Sequence, residues 1–269
     1  MRDTKSVKSL KKQLAAAIAM VMVAAVALGA STYAWFVSNN KVTATTSTIS
    51  AQSNAAFMYI RDEKETSTNL TADTSSVTST ALYPAHWVTE KTGNYATADV
   101  GKFYTAYGTT ADDGTMVANT LKLVEASAES TTKGSPADAV TAQYAVKNTF
   151  HVGSKGTTLS NLTVTAAALT TEDGKASTSD NDQLDDALRI LVTCGENWVL
   201  CDKSSILASS NSNKLADTIS STETTVEIYV FYDGDDAKIK TNNLPDLKKA
   251  SKNITVTFDA TPTTTQTGA

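Results

Sequence analysis

The chain has 269 residues, of which 41% are hydrophobic and 19% are charged. Lys and Arg together number 23 against 28 Asp and Glu, a formal net charge of −5, and the absence of a basic stripe argues against nucleic acid as a partner. The two histidines and two cysteines form neither a Cys-x-x-Cys nor a His-Glu-x-x-His motif, so no zinc site is indicated. We therefore expect a protein that is not an enzyme and needs no cofactor.

Residues 1–36 have the features of an export segment. Five basic residues lie among the first 12 positions, and no charged residue occurs from Leu14 to Val37. A basic region, an apolar region and then small residues is the order typical of a secretory signal. Because the positive flank stays on the cytoplasmic side, we expect the rest of the chain to be extracellular or at the cell surface.

The same segment is compatible with cleavage and with retention as a membrane anchor. Thr32 and Ala34 place small residues at the −3 and −1 positions, which favours cleavage by a signal peptidase between Ala34 and Trp35. A cut after Ser31 is a second option. The apolar stretch is also long enough to span about 30 Å of hydrocarbon as an N-terminal helix. Cleavage is the favoured outcome, and anchoring is the alternative.

Short alternating segments separated by turn signals predict an all-β domain over residues 37–260. The most strand-like stretch is Thr225–Tyr232, a long strand is predicted over Val140–Val152, and Ile254–Phe258 is the last strand. About ten strands without a βαβ period predict an antiparallel β-sandwich, jelly-roll or immunoglobulin-like. Two smaller sandwiches divided near residue 138 are the alternative.

Two other regions lack clear periodicity. Residues 61–80 are rich in Thr and Ser and are predicted to be a loop, and they begin an elaborated insertion near 61–138. Residues 261–269 are predicted to form a flexible tail.

Two groups of residues are candidate sites. Asp233, Asp235 and Asp236 supply the oxygen ligands that calcium prefers, but a plain Asp-Gly turn is the favoured interpretation of these residues. Cys194 and Cys201 flank a predicted hairpin turn. A disulfide between them requires a wide loop or a bulge, and two small buried residues are the alternative.

The run Gly29-Ala30-Ser31-Thr32-Tyr33-Ala34-Trp35-Phe36 resembles the signal region of TasA/camelysin-like surface proteins of Gram-positive bacteria. The segments Tyr229–Asp235 and Ile254–Phe258 are similar to the last strands of secreted proteins of clostridial type. The resemblance implies a jelly-roll-like sandwich, processing by a dedicated signal peptidase, and a role in surface fibres or the biofilm matrix. The sequence departs from the family pattern over residues 37–52.

These observations lead to two expectations for function. The first is a self-associating cell-surface structural protein, in which a segment near 38–50 adds as a strand to a neighbour's sheet. The second is a membrane-tethered adhesin that binds a surface glycan or protein ligand. The aromatic residues expected to carry that binding are Tyr83, Trp87, Tyr104 and Tyr107.

Overall fold

The structure, a computed structural model, describes residues 42–43, 47–53, 57–68, 72–77, 81–105, 109–110, 116–117, 121–155, 157–171, 185–236 and 252–263. The predicted export segment and both of its cleavage sites lie outside these ranges. No helix within the ranges has the length and apolar character needed to cross a membrane.

Most of the described residues form β-strands, which confirms the predicted all-β class. The strands are β1 (Val42–Thr43), β2 (Ser47–Ser53), β3 (Met58–Asp62), β4 (Ala72–Val77), β5 (Ala81–Leu82), β6 (His86–Trp87), β7 (Phe103–Thr105), β8 (Thr109–Thr110), β9 (Met116–Val117), β10 (Lys122–Leu123), β11 (Ala145–Ser154), β12 (Leu159–Thr171), β13 (Leu188–Cys194), β14 (Asn197–Cys201), β15 (Ile206–Ser209), β16 (Lys214–Ile219), β17 (Thr224–Tyr232) and β18 (Lys252–Pro262). Helical structure in the described ranges is confined to α1 (Pro136–Thr141) and to the 3-10 turns Gly93–Tyr95 and Asp185–Ala187.

The chain divides into two compact units. One comprises residues 1–39 and 108–118, of which the structure describes only β8 and β9, an antiparallel pair. The other comprises residues 40–107 and 119–269 and holds all the remaining strands.

Two large sheets in the second unit share one hydrophobic core. Their strand orders are β15-β14-β13-β17-β11-β3 and β16-β12-β18-β2-β4. Buried side chains of the six-stranded sheet, such as Phe150 and Val230, form one cluster with Leu162 and Phe258 of the five-stranded sheet. The result is a sandwich-like core built from the alternate residues of each strand.

The six-stranded sheet is covered on its other face as well. Residues 81–105 and 121–144, here called the inserted layer, contribute the small sheet β10-β7-β6 and helix α1. Phe103 of this layer contacts Phe231 of β17 edge to face, with ring centroids 4.9 Å apart. Because β13 and β17 are buried on both faces, their sequences are nearly continuous apolar runs.

Several predicted boundaries were wrong. Residues 72–77 of the predicted loop form strand β4, because they pair with β2. The predicted strand Val140–Val152 begins only at Ala145, because residues 136–141 form helix α1 instead. Ser135 caps this helix by accepting a hydrogen bond from the Asp138 amide. Strand β18 extends through Pro262, into the predicted tail.

One strand pair departs from the antiparallel prediction. Strand β2 lies beside β18 in parallel orientation, with Ile49 opposite Ile254 and Ser53 opposite Phe258. All the other ladders in the described ranges are antiparallel apart from an isolated bridge between Ala85 and Asp233.

Candidate functional sites: the β2 position and the Asp233 junction

The segment predicted to add to a neighbour's sheet is paired with its own chain. Residues 47–50 belong to β2, which lies between β18 and β4 in the five-stranded sheet. Residues 42–43 form β1 and pair with β5. The rest of the predicted donor segment lies outside the described residues. Strand β2 therefore occupies an interior sheet position, next to β18.

Side chains of one large sheet form hydrogen bonds with the backbone of an edge strand of the other sheet. The Asp62 amide of β3 donates to Asp73 Oδ2 of β4 over 2.7 Å. On the opposite side, Asn197 Nδ2 of β14 donates to the Leu215 carbonyl of β16 over 3.0 Å. An unpaired backbone group on an edge strand is a point at which another strand can pair. These contacts satisfy one backbone group on each of the two edges.

Two of the predicted calcium residues, Asp233 and Asp236, instead contact His86 and Arg189; these four residues are here called the Asp233 junction. Asp233 Oδ1 lies 2.8 Å from His86 Nδ1, and Asp233 Oδ2 lies 3.3 Å from Arg189 Nε. Arg189 also contacts Asp236 Oδ2 at 3.2 Å. Two of the three carboxylates are thus paired with protein cations or an imidazole. No group of three metal-ligating side chains capable of holding a metal ion occurs within the described ranges.

Backbone contacts fix the junction. The Ala85 amide donates to the Tyr232 carbonyl over 3.0 Å, and the Gly234 amide donates to the Ala85 carbonyl over 3.1 Å. A Cβ atom at Gly234 would lie 3.3 Å from the Pro84 side chain, so glycine suits this close approach. These bonds place His86 of the inserted layer directly over the turn that follows β17.

A polar groove opens beside His86. Its volume is about 420 Å³, and its lining includes Glu90, Thr92, Tyr95 and Asp235. The His86 and Tyr95 rings stack with centroids 4.3 Å apart. Burial, and then the nearby Asp235 and Asp233 carboxylates, raise the pKa of Tyr95, so its hydroxyl stays neutral and hydrogen-bonds Asp235. The groove thus combines an imidazole, two carboxylates, two threonines and a tyrosine.

The four predicted ligand-binding aromatics do not form a platform. Trp87 and Tyr104 are buried, at 3% and 7% exposure, because they pack inside the inserted layer, so neither is available to stack on a surface ligand. Tyr83 is half-buried against Tyr144, with ring centroids 5.4 Å apart. Tyr107 lies outside the described residues.

The disulfide that the sequence left open as one of two alternatives does not form. Cys194 lies opposite Asn197, whereas Cys201 lies four residues further along β14, opposite Ile190. At about 3.3 Å per residue the two cysteines are about 13 Å apart along the hairpin, beyond the reach of an S–S bond. Both are free thiols, and burial raises the pKa of Cys201 to about 12. The other alternative is confirmed: the two cysteines are small residues in an apolar environment.

The sequence did not indicate His86, Arg189 or Tyr95 as site residues. His86 and Asp233 are 147 positions apart, and no local motif links them. The Asp233-Gly234 turn was visible in the sequence, but its partners were not.

Comparisons with known proteins yield no family assignment. No protein-family model matches the chain, and a search of the curated proteins also finds no match.

Proposed function

We propose that this chain is an exported, non-enzymatic structural protein of the cell surface, a fibre or matrix subunit that assembles by strand addition. Export rests on the basic and apolar residues 1–36. The observation that carries the assembly proposal is the position of β2 between β18 and β4.

The location of β2 suits a strand that can be exchanged between copies. It follows soon after the proposed cleavage site and pairs with the C-terminal strand through main-chain contacts from Asn253 to Phe258. Main-chain pairing is largely independent of sequence, so the same strand of a second copy satisfies the same partners. The core residues of β18 then stay buried whichever copy supplies β2.

The hydrogen bonds at the β3 and β16 edges favour this route over edge-to-edge pairing at those two strands. The contacts from Asp73 to β3 and from Asn197 to β16 satisfy groups to which an added strand would bind. Exchange of β2 leaves both contacts in place. We therefore propose the position beside β18 as the point of assembly.

The fold type that we propose is a jelly-roll-like or immunoglobulin-like sandwich. Two sheets over one core support it, as do the many connections that cross between the sheets. An N-terminal helix that is removed or kept as an anchor completes the proposal.

A cysteine cross-link tests the assembly proposal. Ser50 lies opposite Thr255 in the parallel pair, so a protein carrying Ser50→Cys and Thr255→Cys places two thiols across the β2–β18 ladder. Oxidation of assembled material should link different copies into covalent multimers on a non-reducing gel. The buried Cys201 should not compete for oxidation.

The controls for this experiment carry Ser50→Cys alone or Thr255→Cys alone beside the two native cysteines, and they should give no ladder of multimers. Cross-links found only within single chains in assembled material would contradict strand exchange. Unchanged polymers after deletion of residues 38–53 would contradict it as well.

A membrane-tethered glycan-binding adhesin is the second candidate. The buried Trp87 and Tyr104 do not support the expected aromatic platform. The groove beside His86 does support a ligand-binding role, because it places several polar side chains around one cavity. Saturable binding of a surface saccharide by the full-length chain would favour this candidate.

A further inference from the structure

The groove beside His86 holds an imidazole whose orientation is fixed. His86 Nδ1 lies 2.8 Å from Asp233 Oδ1, and Asp233 itself is buried and paired with Arg189. In a neutral ring, the hydrogen bond to the Asp233 carboxylate makes Nδ1 the nitrogen that carries the proton. The other nitrogen, Nε2, then has a lone pair and accepts hydrogen bonds.

Nε2 is the atom that His86 offers to a ligand. The described contacts of His86 are the Asp233 bond through Nδ1 and the stack on Tyr95. The side chain is 20% exposed and lines the groove. A ligand hydroxyl can therefore donate to Nε2 without displacing a contact within the described part of the chain.

The rest of the groove also offers acceptors and negative charge. Glu90 and Asp235 are both exposed and line the cavity, whose lining carries no ammonium or guanidinium group. Arg189 is directed to Asp233 and Asp236 behind the groove. Such a site favours a ligand that carries a positive charge and hydrogen-bond donors.

We propose that the groove beside His86 binds an amino sugar, with its ammonium group between Glu90 and Asp235 and a hydroxyl on His86 Nε2. An ammonium group supplies three donors to the carboxylates, and a sugar hydroxyl supplies the donor for the imidazole. The volume of about 420 Å³ falls within the usual range for small-molecule sites. The proposal does not depend on strand addition; it rests on the second candidate function, glycan binding, and names the ligand class.

Calorimetric titration of the full-length chain in mild detergent tests this site. The probes are the β-1,4-linked disaccharide of glucosamine, its N-acetylated form, and N-acetyl-lysine amide, which has an ammonium group but no sugar hydroxyl. Only the glucosamine disaccharide should bind saturably, and added salt should weaken the binding. Asp235→Asn and Glu90→Gln should each lower the affinity by about tenfold or more.

Asp99→Asn is the matched control, because Asp99 is an exposed acid of the same layer that does not line the groove. Its affinity for the glucosamine disaccharide should equal that of the unchanged protein. Equal binding of the acetylated sugar or of the lysine amide would overturn the proposal. So would the absence of saturable binding, or an affinity that survives Asp235→Asn. Failure here leaves the cross-linking result for strand exchange untouched.

Discussion

Replacement of Asp233 by asparagine tests whether the junction fastens the inserted layer to the sheets. Asp233 accepts from His86 at 2.8 Å and from Arg189 at 3.3 Å, with side-chain exposures of 12 to 20% for the three residues. Removal of one partner of a buried ion pair costs about 3–5 kcal/mol. Arg189 keeps its contact with Asp236, so we expect a smaller loss of about 2–3 kcal/mol in the free energy of unfolding.

Urea unfolding followed by tryptophan fluorescence measures this loss. The ring centroids of Trp87 in the inserted layer and Trp198 in β14 lie 5.7 Å apart, so the fluorescence of these residues reports on contact between the layer and the sheet. Asp217→Asn is the matched control, because Asp217 is 82% exposed and pairs with Lys214 on the surface. Its effect should stay within about 0.5 kcal/mol. An Asp233→Asn protein as stable as the control would refute the role given to the junction.

Three more results are expected. Gly153→Ala places a methyl group 2.3 Å from the Tyr59 ring, so it should destabilise the protein by about 1–3 kcal/mol, and a double-mutant cycle should show this cost disappear in a Tyr59→Ala background. Equal costs in both backgrounds would argue against the clash. Arg61 holds the pKa of Glu223 below its ordinary 4.5, so the pair stabilises the fold above that pH, and its contribution is lost as pH falls through the lower folded value. The stability gap between the unchanged protein and Glu223→Gln, from urea unfolding, should therefore shrink in acid, and a constant gap would contradict this assignment. Intact mass measured without reductant should show both cysteines as free thiols. Cys201 should react with a thiol reagent only after unfolding, since burial raises its pKa to about 12. A mass lower by the two hydrogens lost in forming a disulfide would refute the distance between Cys194 and Cys201 along the hairpin.

Strand periodicity in the sequence was enough to predict the fold class and several elements. Alternating residues in Thr225–Tyr232 and Ile254–Phe258 correspond to β17 and β18. Strand β4 was missed, because its sequence Ala-Asp-Thr-Ser-Ser-Val has no apolar period and depends on pairing with β2. Pairing between strands that are distant in the sequence cannot be recognised from a few neighbouring residues alone.

The candidate sites show a similar limit. The sequence placed a turn at Asp233-Gly234, but it could not supply His86 and Arg189, which come from other elements. It left the cysteine question open, and the strand register decided it by setting Cys194 and Cys201 four residues apart on the ladder. Register follows from burial of the correct face and from the turn length together.

Local chemistry in the sequence determined two properties of this protein. One is the basic and apolar pattern of residues 1–36, on which the export proposal rests, and the other is a chain made of short strands separated by turns. Tertiary structure alone decided that β2 lies parallel to β18, that an inserted layer covers the six-stranded sheet, and that His86 meets Asp233 beside a groove. These features depend on contacts between residues far apart along the chain, whereas patterning and turn residues act only over a few neighbouring positions.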